Sequence, residues 1–400
     1  MYLASHDAKN AWASACASAC RFRYWLVTKA LPLWSTVGFD AGQGVFQERL
    51  EWGGQPQEAV PRRAMVQARQ IYVFAHAAQL GWFPEGGRLA EIAMASLVDK
   101  FCEGAGPKRG FAFSISAENR LVANHRDAYT HAFVLFAIAW LYRLNGDRRL
   151  IGWADQTIGF IDAALQDPAH GGLYDRTPVD DRNKRQNPHM HLLEAYLALE
   201  AAIPGRGYAE RAQKLVEIFK SRLFMSEPGV LLEYFAQDWG PHPDPQRRWI
   251  FEPGHHFEWA WLLHEYGKLT GEDLNAWIFA LDRNARSNGI GENGLIFNEV
   301  KSDMSVLKSS HRLWPHAEGA KAAVARFSMG DVMAPGFASA MVDALGATFL
   351  DKPFAGGWID HVSANGSPLV DFIPASSLYH LFCSAAEMSR VFHSPRLARA

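Results

Sequence analysis

A chain of 400 residues, 48% of them hydrophobic and 20% charged, is long enough for one large domain or for two or three smaller ones. Its formal net charge of −2 supplies no global field for nucleic acid or for an acidic membrane surface, and no uncharged run of about 18 apolar residues offers a bilayer span. Four cysteines without CxxC or zinc-type spacing, and an N-terminus lacking a basic stretch followed by an apolar one, predict reduced thiols in a cytoplasmic protein without a signal peptide.

In chain order, an apolar helix is predicted over Trp25–Trp34, followed by a pulse of short glycine-led segments. These begin at Gly44, Gly110, Gly172, Gly229, Gly294 and Gly357, with intervals of 66, 62, 57, 65 and 63 residues. Each is too short for a core strand and reads as a turn or small hairpin. Two helical patterns lie between successive segments, such as Leu150–Leu165 with Met190–Ala202, and Tyr208–Phe224 with His256–Leu269. Many end at glycine (Gly146, Gly205, Gly271, Gly330), as helices closing on a left-handed residue do. A fixed period of this kind determines architecture, and six units of two helices make twelve. An open solenoid needs polar ends. Here the first helix and the last, Ser377–Phe392, are both strongly apolar, so they are expected to bury against each other and close a ring. The expected fold is all-α: a single-domain (α/α)6 barrel over 1–400, core about 25–392, with short β-hairpins in the loops.

Near the start of the helix after each glycine segment stands a large polar or aromatic residue: Arg69, Tyr129 with His131, His191, His255, Trp314 and His380. In a closed ring these positions share one level and face a common cavity. His255 and Glu258 share a face at a helix start, after Pro253-Gly254 closes the preceding loop. Asn187 and Pro188 read as cap and first helical residue, placing His191 one turn in on the face of Asn187, with His189 and Glu194 pointing elsewhere. Ser376 or Ser377 reads as the cap of the helix carrying His380. Arg69, on an otherwise apolar helix, either pairs with Glu48 or clamps a substrate oxygen, and Trp314 is either core or a platform for a sugar ring. Neither His189-x-His191 nor His255-His256 has the i, i+4 spacing of helical zinc sites, so no metal and no cofactor are expected.

The motifs Gln67-Ala68-Arg69-Gln70, Asn187-Pro188-His189-Met190-His191-Leu192-Leu193-Glu194-Ala195, Pro253-Gly254-His255-His256-Phe257-Glu258-Trp259, Arg312-Leu313-Trp314-Pro315 and Tyr379-His380-Leu381 together resemble the N-acylglucosamine 2-epimerase superfamily, from about Trp25 to Phe392. The resemblance implies an (α/α)6 barrel and metal-free proton transfer at C2 of a sugar. In it His255 and His380 match the acid/base pair, and His191, Arg69, Asn187, Glu258 and Trp314 match substrate-contact positions; Tyr129 and Glu318 join them as candidate contacts. Two departures stand out: His316-Ala317-Glu318-Gly319 follows Trp314-Pro315 where relatives often read Gln-Thr-Glu-Trp, and Thr130 stands where an Asp is common.

The chemistry is coherent. An open-chain aldose has an acidic C–H beside its carbonyl, which a neutral imidazole can remove. The resulting enediolate needs donors such as Arg69 and a protonated histidine. Return of the proton to C1 gives a ketose, and return to C2 from the opposite side gives the epimer. The stretch Gly357-Trp358-Ile359-Asp360 with Ile373–His380 looks closer to the mannose isomerase branch, so mannose–fructose isomerisation is expected, with an N-acylglucosamine-type or other 2-epimerase as the alternative. A glycoside hydrolase on the same architecture needs two facing carboxylates, for which Asp127, Asp175, Glu258 and Glu318 are available. A non-catalytic sugar-binding module is the remaining rival. The partner expected is a small sugar, with no nucleic acid, no membrane, and a homodimer as the open possibility.

Overall fold

The computed structural model of the chain describes residues 5–392. Its helices are α1 (His6–Trp25), α2 (Leu31–Ser35, joined to α1 by a π-turn at Leu26–Ala30), α3 (Ala64–Gln79), α4 (Gly86–Phe101), α5 (Ala128–Asn145), α6 (Arg149–Ala164), α7 (Gln186–Ala202), α8 (Tyr208–Ile218), α9 (Pro253–Thr270), α10 (Asn275–Asn288), α11 (Leu313–Ser328), α12 (Ala334–Ala344) and α13 (Leu378–Val391). Helices α3, α5, α7, α9, α11 and α13 pack each on the next, and α13 returns to α3, so the inner ring closes. Outside it, α4, α6, α8, α10, α12 and α1 back the inner helices, with α1 set between α12 and α13. The architecture is the expected (α/α)6 barrel.

Why some helices are inner and others outer is written in their faces. Along α3 every residue from Ala64 to Ala75 is buried, and α5, α7 and α11 are apolar or small nearly all round, as helices enclosed on every side must be. Helix α8 buries only Tyr208, Ala212, Leu215 and Val216, a single stripe at helical spacing. Gly146 and Gly271 end α5 and α9 at φ of +67° and +78°, as predicted.

Each glycine segment pairs back on the chain that leaves the preceding outer helix: Val45–Phe46 with Phe39–Asp40, Gly110–Phe111 with Cys102–Glu103, Val230–Leu231 with Phe224–Met225, and single bridges at Leu173, Ile296 and Trp358. A second set of short ladders sits at the N-terminal ends of the inner helices. Arg62–Arg63 pairs with Ser114–Ile115, Arg126–Asp127 with Arg176–Thr177, Lys184–Arg185 with Tyr234–Phe235, and Ile250–Phe251 with Val300–Lys301. His311–Arg312 pairs with His361–Val362, and Phe372–Pro374 comes round to Arg49–Glu51. The ladders therefore close on themselves, as the helices do.

Two expectations need correction. The first helix starts at His6, not Trp25, because its buried face is built from alanines, Cys16 and Ser18 that carry little hydrophobic signal. The first and last helices do pack together, α1 on α13, but the inner ring is closed by α13 on α3 and α1 is an outer helix. The pattern Tyr208–Phe224 is helical to Leu223, as α-helix to Ile218 and as π-helix over Phe219–Leu223, before the chain enters a strand.

Candidate active site

The inner helices begin alike. Arg63, Asp127, Arg185, Glu252 and Arg312 cap α3, α5, α7, α9 and α11 in extended conformation. Four residues after each cap comes Gln67, His131, His189, His256 or His316, fully buried and directed to a glycine segment. His131 Nε2 accepts the N–H of Phe111 at 3.1 Å, His189 that of Leu173 at 3.0 Å, His256 that of Leu231 at 3.0 Å and His316 that of Ile296 at 3.0 Å; Gln67 Oε1 accepts that of Phe46 at 2.7 Å. On three of these histidines Nδ1 bonds the cap carbonyl, at Asp127, Arg185 and Arg312. Burial lowers His131, His189 and His256 to about 4 and His316 to about 3, so all four are neutral. They are latches. His131, expected with Tyr129 at the cavity, belongs to this set; His189 is structural, as expected.

Two residues and six residues after the cap, the side chains turn the other way. These positions hold Tyr129 on α5, Asn187 and His191 on α7, Glu258 on α9, Trp314 and Glu318 on α11, and Arg69 on α3; His255 stands three after its cap. Asn187 is thus the second residue of α7 and not its cap, which is Arg185. Pro253 and Gly254 are likewise the first two residues of α9, and do not close a loop. A Cβ on Gly254 would stand 2.5 Å from the Trp314 ring, so the close fit of α9 on α11 requires glycine there. Ser377 does not cap α13 through its side chain; its hydroxyl bonds Asp360.

His255, Trp314 and His380 come together in a row. The Trp314 ring centroid lies 4.9 Å from that of His255 and 5.4 Å from that of His380. His255 Nδ1 is 3.0 Å from Glu233 Oε1 and 3.7 Å from Glu252 Oε2. Burial works against charge on His255, but these two carboxylates outweigh it and raise the imidazole to about 10. His380 Nδ1 is 2.7 Å from Glu318 Oε1, whose other oxygen is 2.7 Å from Lys321 Nζ. Burial, with Arg69 and Lys321 nearby, pushes His380 well below the usual histidine range. One imidazole is a cation and the other is neutral, which is the division of labour an acid and a base require. The amide of Asn187 fits this charge: its nitrogen is set 3.4 Å from His255 Nε2, while its oxygen is buried without a partner. Rotating the amide by half a turn lets that oxygen accept from the imidazolium.

His191 sits behind them, 2% exposed, with Nδ1 3.1 Å from Glu194 and 3.8 Å from Glu258; burial lowers it to about 4. Glu194 was expected to face elsewhere. It lies seven residues after Asn187 and three after His191, hence on their face, and it also accepts from the Tyr379 hydroxyl. Both oxygens of Glu258 are buried without a hydrogen-bond partner, and burial together with the Glu318 charge raises its carboxyl well above the ordinary range. Glu318 is 0% exposed, with Oε1 set against His380 Nδ1. Arg69 does not pair with Glu48, which bonds the Arg63 guanidinium and backbone instead. It donates to the Tyr129 hydroxyl at 2.5 Å and to the Ser376 carbonyl at 3.0 Å, and leaves Nε without a partner.

The departures at 316, 319 and 130 fall outside the row of imidazoles. His316 is a latch, Gly319 faces Met341 in the packing against α12, and Thr130 bonds the Asp127 cap through both N and Oγ1. A cavity of about 1390 Å³ opens over the inner helix ends, touching Tyr129 and Asn187 and rimmed by Arg176, Arg185, Arg247 and Lys308. Of the candidate site residues Tyr129 and Asn187 line it, whereas His191, His255, Trp314 and His380 do not, His255 being 5% and His380 6% exposed. Three clusters bring ligand atoms within 4.8 Å of one another: His191 with Glu194 and Glu258, Glu233 with Glu252 and His255, and Glu258 with Glu318 and His380. Such donor sets suit borderline cations, and in each the imidazole Nδ1 is set against a carboxylate. Sequence reasoning missed Glu233, Glu252, Tyr379 and Lys321 as parts of this site.

Residues 44–384 match the family model described as N-acylglucosamine 2-epimerase. A protein of Rhizobium meliloti named mannose-6-phosphate isomerase is 34% identical over 379 residues, spanning 91% of this chain and 95% of its own. A D-mannose isomerase of Thermobifida fusca is 27% identical over 281 residues, covering 64% of this chain and 65% of that one. The solved structure of a cellobiose 2-epimerase from Bacillus thermoamylovorans B4167 superposes with a TM-score of 0.83 at 18% identity, over 93% of this chain and 99% of the other.

Proposed function

Because the chain belongs to the N-acylglucosamine 2-epimerase family, we propose that it interconverts a mannose-type aldose and its ketose through an enediolate. His380 is the base and His255 the acid. The observation that carries this reading is the pair of imidazoles flanking Trp314, one against two carboxylates and the other against a carboxylate shared with a lysine.

The neutral imidazole of His380, its Nδ1 occupied by Glu318, offers Nε2 to the proton at C2 of an open-chain aldose. As the proton leaves, charge grows on O1 and O2. The His255 imidazolium and the Arg69 guanidinium, with its free Nε, are the donors placed to meet it. Trp314 lies between the imidazoles as a face for the sugar, and Tyr129 and Asn187 bring polar groups from the cavity floor. His191 and Glu258 complete the wall on the α7 and α9 side. Return of the proton by His380 to C1 yields the ketose. The epimerase reading has its own support: His255 stands across Trp314 from His380, where it can give a proton to the opposite side of C2.

Incubation with mannose in deuterated water tests the choice. Fructose labelled at C1 is expected; glucose labelled at C2 supports the epimerase, and no turnover of mannose, mannose 6-phosphate or N-acetylmannosamine overturns both. The phosphorylated sugar belongs in the panel because of the Rhizobium relative's name and the basic rim residues Arg247 and Lys301. The same reading makes the whole chain one catalytic unit in the cytoplasm, its four cysteines free, and leaves a homodimer to be measured by light scattering.

A further inference from the structure

Lys321 is 0% exposed, one turn after Glu318 on the α11 stripe that carries Trp314 and Glu318, and the reaction proposed above gives it no task. A lysine is almost never buried this completely unless its charge is paired. Its ammonium lies 2.7 Å from Glu318 Oε2 and 4.2 Å from the Trp261 ring, and donates to Cys383 Sγ at 3.9 Å.

The surroundings of the two imidazoles differ in one respect. Both set Nδ1 against a carboxylate: His255 against Glu233, His380 against Glu318. On the His255 side a second carboxylate, Glu252, adds its charge, and among the described residues neither Glu233 nor Glu252 is paired with a lysine or arginine. On the His380 side the carboxylate is shared with Lys321. The other charged and titratable groups facing His380 are Arg69 from α3, His191 and Glu194 from α7, Glu258 from α9, whose carboxylate lies within 4.8 Å in the cluster with Glu318, and Tyr379 beside it on α13. Arg69 is committed to Tyr129 and the Ser376 carbonyl, and Glu194 to His191 and Tyr379. Lys321 is therefore the one cation that reaches His380 through its own orienting carboxylate.

We propose that Lys321 is a positioning residue: by holding the second oxygen of Glu318 it keeps His380 the neutral member of the pair and its Nε2 an acceptor, so that His380 and not His255 removes the proton. This rests on the isomerase reading for its consequence, but its test does not. Without Lys321 the full charge of Glu318 acts on His380, which then holds its proton to higher pH, by about 1 pH unit for an opposite charge at this range.

The experiment is an imidazole nitrogen titration by NMR on the full chain, with His380 assigned through His380→Gln, beside the pH profile of kcat/KM. In the unaltered protein His380 is expected to be neutral at pH values where His255 is charged; the reverse order overturns the proposal. Lys321→Met is expected to move the His380 titration and the low-pH limb of the profile upward together. Lys321→Arg, which keeps the charge, is expected to restore both. Should the Met variant fail to fold, Lys321→Gln removes the charge while keeping a polar side chain of similar length, and the unaltered protein's titration order still decides. A loss of thermal stability with both titrations unmoved would make Lys321 merely structural. A protein that shows the shifts but turns over no sugar loses the isomerase reading and keeps this one.

Discussion

At the scale of single residues, the proposed chemistry rests on side chains set to unequal charge by neighbours that are distant in sequence. His255 raised to about 10 and His380 held well below the usual range give an active window between them. The protein should work across a broad plateau whose alkaline limb lies near pH 10 and whose acid limb lies well below 6.5, as kcat/KM against pH would show. A single histidine titrating near 6.5 and governing the rate would contradict it. Gly254→Ala forces a methyl to within 2.5 Å of the Trp314 ring, so it should lower kcat at least tenfold while the circular dichroism spectrum is kept; unaltered kcat would mean that the Trp314 position does not matter. The histidines and Trp314 were legible because each falls within the first two turns of an inner helix, two to six residues after its cap. Glu233 was not, since it comes from a loop 22 residues before His255 and no local spacing links the two. Glu194 was legible in principle: it extends the face of Asn187 and His191 by one turn.

Elements are joined by a rule that the sequence displays without naming. In five of the six repeats the residue four after the helix cap accepts a backbone N–H from the glycine segment, and it does so as Gln67 in the first and as histidine in the others. Removing one latch leaves a buried donor without an acceptor. His316→Ala should therefore cost about 1–3 kcal/mol in urea unfolding, and His316→Gln should recover most of that, because Gln67 already performs the task. Equal stability of the Ala variant and the parent would refute the latch. The recurrence of glycine and of polar helix starts revealed the barrel, yet the same histidine letter serves the latches and the proposed chemistry. Only the offset from the cap distinguishes them, and cap positions were the least legible feature: Asn187 and Gly254 both turned out to lie inside helices that begin earlier. Helix α1 escaped notice for a simpler reason, since alanine and cysteine faces bury well but carry little contrast.

For the molecule as a whole, the latches make stability depend on acidity. In the unfolded chain their imidazoles take up protons near 6.5, whereas in the fold His131, His189 and His256 wait until about 4 and His316 until about 3. Their contribution is complete above 6.5 and is lost as pH falls below it, by up to roughly 1.4 kcal/mol per pH unit for each histidine. His255 has the opposite sign: its raised value adds stability below 6.5 that is lost as pH climbs toward 10. The urea midpoint should thus drop between pH 7 and pH 5, and a flat midpoint over that range would show that the latch histidines are not neutral in the fold.

The pairing of Phe372–Pro374 with Arg49–Glu51 has a consequence for how the protein comes into being. The staves of this cask are held only when the last is set against the first, and that last stave, α13, also carries His380. A nascent chain therefore lacks both the closing strand pair and His380 until α13 has left the ribosome, and the proposed site is completed in the same event as closure.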